Sequence, residues 1–160
     1  MMRPRLLLSA LAVTATLVVP TNANADITGF LGSTPSPANR AVRGVAVGVS
    51  LIIVGFEAEY SHASDSNDAP GLKTGMGNVF VQTPIAIMGI RPYLTTGIGF
   101  YRERTEGHQE TSVGFNSGGG AKISIAGPLR LRLDYRVFTL KGDPLESTVH
   151  RIYAGANIAF

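Results

Sequence analysis

At 160 residues and without a single cysteine, the chain is long enough for one domain and cannot be a disulfide scaffold. Its formal charge of +3 counts Arg3 and Arg5 of an N-terminal leader. Without them Lys plus Arg falls from 14 to 12 against 11 Asp plus Glu, a near balance with no basic patch, which excludes nucleic-acid binding as the main activity.

The leader reads MMRPRLLLSALAVTATLVVPTNANA. Two arginines precede an apolar run from Leu6 to Val19, and the segment closes on Ala23-Asn24-Ala25. This is the three-part pattern of a secretory signal peptide, and the run is short for a membrane-spanning helix, which needs about 20 residues. The expected division is a signal peptide over 1–25, cleaved after Ala25, and one domain over 26–160.

Eight strands follow. The first is expected over 26–32, then a loop containing Pro35 and Pro37. The second covers 43–51, and a tight turn at 52–54 leads into the third over 55–62. A polar loop, ASDSNDAPGLKT, precedes the fourth strand over 75–83. The fifth is expected over 92–103, the sixth over 111–125, the seventh over 129–140 after the turn Ala126-Gly127-Pro128, and the eighth over 148–160. No helical periodicity competes with the period of two. An even number of strands with short connections implies antiparallel neighbours. Connections after odd strands are long and polar, and those after even strands are short or apolar. Transmembrane barrels have that asymmetry.

Alternation is clearest in the seventh strand. Leu129, Leu131, Leu133, Tyr135 and Val137 share one face; Arg130, Arg132, Asp134 and Arg136 share the other. Gly44, Gly48, Gly97, Gly99, Gly118 and Gly120 fall on the same side as the charges. Glycine weakens a water-facing strand, but inside a narrow barrel it makes room for long side chains from other strands. The polar face is therefore expected in the lumen and the apolar face against lipid, the inverse of a soluble barrel around a greasy ligand.

The segments GFEAEYSHA, RPYLTTGIGFYRE, GGGAKISIAGPLRLRLDYRVF and the terminal YAGANIAF resemble the eight-stranded outer-membrane β-barrel domain family, of the OmpA transmembrane and OmpX type. The resemblance implies an all-β, antiparallel up-and-down transmembrane barrel in the bacterial outer membrane. It also implies a monomer with outer-membrane lipid around it. In that family an aromatic C-terminus on an alternating strand is read by the barrel-assembly machinery; this assigns an assembly signal to Phe160, with Ile158 and Ala156.

Catalytic and metal chemistry are not expected. His62 and His150 lie near the outer ends of strands three and eight, and His108 lies in the loop RTEGHQE. Ser64 is close to His62, but no G-x-S-x-G pattern or third partner accompanies them. Asp65 and Asp68 lack calcium-loop spacing. Gly118–Gly120 precedes no helix and so is no phosphate loop. The lumen charges are more informative. Glu57 and Glu59 should sit opposite Arg130 and Arg132 at similar depth, with Lys122, Asp134, Arg136 and Asn157 nearby. Eight strands leave an interior only wide enough for side chains, so these residues are expected to form a salt-bridge plug. The expected function is structural, or surface recognition of an extracellular ligand through loops 32–42, 63–74, 104–110 and 141–147, with no cofactor. Two alternatives stay open: a lipid-modifying hydrolase at the rim, and a narrow channel for small solutes.

Overall fold

The computed structural model describes residues 23–36, 38–65, 69–105 and 108–160. Most of the expected signal peptide, with parts of three expected loops, lies outside the described residues. Eight strands run in chain order: β1 Asn24–Ser36, β2 Arg40–Ser50, β3 Val54–Ala63, β4 Gly71–Gln82, β5 Ile90–Thr105, β6 His108–Ala126, β7 Leu129–Leu140 and β8 Thr148–Ala159. Each pairs antiparallel with the next, and β8 returns to β1, so the sheet closes into a barrel. Closure leaves no edge strand. At the seam Ala25 and Phe160 exchange two backbone hydrogen bonds of 2.9 Å, so pairing already includes the two residues before the expected cleavage point.

The faces divide by parity. On β2, Val45, Val47 and Val49 are exposed while Ala46, Gly48 and Ser50 are buried. On β7, Leu131, Leu133 and Tyr135 are exposed while Arg132, Asp134 and Arg136 are buried. The outside is thus an apolar surface, with Leu94 72% exposed and Phe100 67%, and the charges lie inside. That arrangement is favourable only where the surroundings are themselves apolar.

The expected connections at the end remote from the termini are shortened by the ladders. β1 and β2 together occupy most of the expected loop 32–42, and β5 and β6 continue to the pair Thr105↔His108. β4 begins at Gly71, inside the expected loop 63–74; only 141–147 remains wholly outside the strands. Main-chain hydrogen bonding between antiparallel neighbours does not depend on polar or apolar composition, so the hairpins continue beyond the apolar band. Pro35 is accommodated because β1 breaks register against β8 between Ser33 and Ser36. At such a bulge the missing N–H costs no ladder bond. At the other end, the β6–β7 turn places Gly127 at φ +51°, a left-handed conformation that glycine adopts without strain.

Candidate functional site: the charged lumen

Inward parity brings ten charged residues into the lumen. Arg40, Lys122, Arg132, Arg136 and Arg151 are buried together with Asp26, Glu57, Glu59, Glu103 and Asp134. Among the described residues the buried charges therefore cancel, five against five, as a poorly solvated interior requires.

The centre of the network is Arg136. Its Nη2 lies 3.0 Å from Glu57 Oε1, its Nη1 2.9 Å from Glu59 Oε2, and its Nε 2.9 Å from Asp134 Oδ1. Arg132 pairs with Glu57 and, at 2.9 Å, with Asp134. Its Nε also donates to Tyr93 Oη at 2.7 Å, and Tyr93 in turn donates to Asp134. Two guanidinium planes and two carboxylates from β3 and β7 thus share bonds across the barrel, a task for which the planar fork of arginine is suited. Nearer the termini, Lys122 pairs with Asp26. Towards the other end, Arg151 Nη1 lies 3.2 Å from Glu59 Oε1 and donates to Ser61 Oγ at 2.7 Å. Uncharged polar groups complete the set. Asn78 Nδ2 donates to Glu57 at 3.2 Å, and Asn157 Nδ2 donates to Thr28 at 2.8 Å.

Arg130 departs from the expectation. It is half-buried and makes no ion pair among the described residues. Counted from Val54 and Leu129, where β3 and β7 start, Glu57 and Arg132 are both fourth. Arg130 is second, level with Gly55 and too close to the turn to meet a glutamate. Arg151, Asp26, Arg40 and Glu103 are lumen charges that were not expected. Arg151 shares the parity of Asn157 along β8, so alternation alone could have located it.

A second layer fills the end remote from the termini. Val42, Ala63, Leu72, Tyr101, Phe138, Leu140 and Val149 are buried side chains of one apolar cluster, which reaches Met76, Phe30 and Tyr153 deeper in the barrel. Arg151 lies over the Phe138 ring at 4.1 Å, and Phe30 stacks on Tyr153 at 4.1 Å, so the two layers are in contact.

The histidines at the outer end differ in their surroundings. His150 Nδ1 and the Tyr135 hydroxyl share a hydrogen bond of 2.7 Å on the outer face. Neither a serine nor a carboxylate hydrogen-bonds to His150 or His62 among the described residues. Ser64 uses its backbone N–H to reach Ala41 O at 2.9 Å. Of His108 the structure describes only its place as the first residue of β6. No group of three metal-ligating side chains is present among the described residues.

No protein-family model and no curated protein matches the chain. Solved structures do. The N-terminal β-barrel domain of Pseudomonas aeruginosa OprF superposes with a TM-score of 0.69 at 15% identity, covering 86% of this chain and 97% of that one. Neisserial surface protein A gives 0.64 at 16%, covering 86% and 96%. The outer membrane enzyme PagL gives 0.53 at 12%, covering 83% and 98%. The chain therefore has the fold of the eight-stranded outer-membrane β-barrels.

Proposed function

We propose that the protein is a monomeric, non-conducting and non-catalytic barrel of the bacterial outer membrane, with a structural role and with hairpin tips available for surface recognition. The termini face the periplasm in this reading, and the apolar cluster lies at the cell-surface end. The single observation that supports it best is the two-layer filling of the lumen, in which a balanced charge network abuts an apolar cluster. An eight-stranded barrel has room for its own side chains and little else. A conducting path would have to disrupt both layers. On the closing strand, Ile158 and Ala156 point outwards and Phe160 is exposed at its end. These residues form the assembly signal that the barrel-assembly machinery would read.

Planar-bilayer recording of the folded barrel tests closure. The expected trace has no steady open level; a stable ohmic conductance would reject the proposal. PagL is an enzyme on the same fold, so absence of catalysis needs its own test. Incubation with phospholipid and lipopolysaccharide should release no acyl chains. Release that disappears in His150→Ala or His62→Ala would establish the hydrolase alternative instead.

A further inference from the structure

On the outside of the barrel, at the end remote from the termini, four strands carry basic side chains in one cross-strand row. Arg43 of β2 pairs with His62 of β3, His62 with Lys73 of β4, and Lys73 with Arg102 of β5. Their chain neighbours Val42, Ser61, Leu72, Thr74, Tyr101 and Glu103 are buried in the lumen, so the row faces outwards. Arg104, two residues further along β5, is exposed on the same face.

Directly opposed side chains in a sheet lie about 4.5–5.5 Å apart at Cβ, and like charges so placed repel. Among the described residues, Arg43, Lys73, Arg102 and Arg104 have no ion-pair partner, because all seven ion pairs lie in the lumen. Arg102 donates to Thr111 Oγ1 at 3.3 Å, and the buried Nδ1 of His62 has no hydrogen-bond partner among the described residues. The chain balances its inner charges and leaves this outer row unbalanced. Such a row is open to an external anion.

The anion's carrier is indicated by what adjoins the row. Arg43, His62 and Lys73 border a groove of about 960 Å³ that continues over Gly29, Leu31, Val45, Tyr60, Ala154 and Ala156. Small residues between larger apolar ones leave a shallow depression suited to an acyl chain. We propose that this face binds a phosphorylated lipid of the outer leaflet, with phosphate on the Arg43–His62–Lys73–Arg102 row and an acyl chain in the groove. The inference rests on the membrane reading above and adds the chemistry of the lipid. Arg43, Lys73 and Arg102 in one row match a multiply charged phosphate group better than a single carboxylate, and arginine binds phosphate oxygens in pairs. A soluble anion would gain little from exposed side chains alone, whereas a lipid also fills the groove.

Native mass spectrometry of the full exported chain in detergent tests the site with two probes: bisphosphorylated lipid A, and the same lipid with both phosphates removed. The expected preference for the phosphorylated form is about tenfold or more, falling to about twofold or less in Arg43→Gln/Lys73→Gln/Arg102→Gln. Arg91→Gln/Arg130→Gln, which changes cations near the termini, should keep the preference. Equal binding of the two lipids by the unsubstituted chain overturns the proposal without any variant. Displacement of the lipid by excess inorganic phosphate also overturns it, because the row would then serve a soluble anion. Heat-modifiable gel mobility is read on the same samples. A chain that folds into detergent yet does not discriminate loses the lipid site alone, whereas a chain that shows no heat-modifiable form loses the membrane reading as well.

Discussion

Arg136 and Arg130 occupy the same face of β7, six residues apart in chain position, and differ in everything that decides their energetics. Arg136 is fully buried and touches Glu57, Glu59 and Asp134; Arg130 is half-buried beside the turn. Arg136→Met takes one partner from each of three carboxylates in a poorly solvated interior, so it should destabilise the barrel by about 3–5 kcal/mol. Arg130→Met should stay within about 0.5 kcal/mol. Urea unfolding in lipid vesicles measures both, and equal effects would mean that water solvates the lumen throughout. The alternation of LRLRLDYRVF makes Arg132, Asp134 and Arg136 legible as lumen residues, because parity is a one-dimensional property. Their partners are not legible in the same way. Which glutamate meets which arginine depends on the relative depth of β3 and β7, and that is set only when the barrel closes with its stagger.

At the scale of the strand, glycines separate by face. A Cβ on Gly97 of β5 would lie 2.0 Å from Asn78 Oδ1 and 2.6 Å from the Gly77 carbonyl oxygen, while one on Gly75 of β4 meets nothing within 4 Å. Gly97→Ala should cost about 1–3 kcal/mol as overpacking, and the outward Gly75→Ala should stay within about 0.5 kcal/mol. The same unfolding assay distinguishes them, and a neutral Gly97→Ala would show that Asn78 withdraws and the Gly77 backbone shifts at little cost. The existence of every strand was readable from alternation, but the length of the hairpins was not. Proline, serine and glycine mark 32–42 as a loop and polar, mostly charged composition marks 104–110, whereas the ladders β1–β2 and β5–β6 continue through most of both. Side-chain composition carries little information about main-chain pairing outside the apolar band. The closing strand gives a further test. Phe160 exchanges two backbone hydrogen bonds with Ala25 at the seam; the expected cleavage after Ala25 already removes that partner, so deleting Phe160 costs the mature chain little beside the rest of the β1–β8 ladder. The truncated chain should therefore fold unaided into detergent nearly as well as the full one, and accumulate less in membranes of living cells. Normal cellular accumulation would remove the assembly role assigned to Phe160.

For the molecule as a whole, the proposed closure of the lumen has two layers that substitutions can test separately. The charge layer is built from pairs, so Glu57→Ala/Arg132→Ala removes one negative and one positive charge together and strands neither; its cost should be below the sum of the single changes. The apolar layer then still occupies the end remote from the termini, and the barrel should remain closed to ions. Phe138→Ala/Leu140→Ala does the reverse. It opens space where Phe138 and Leu140 are buried, at about 3–5 kcal/mol for the phenylalanine, but it leaves Arg136 ion-paired across the barrel with both glutamates. That variant should also stay closed. Only the combination of all four substitutions removes material from both layers, and only it should show steady conductance in planar bilayers, provided that heat-modifiable mobility confirms a folded barrel. Conduction in one of the two-residue variants alone would assign closure to the layer it disrupts. A folded four-residue variant that still does not conduct would mean that neither layer, as described, is what closes the lumen.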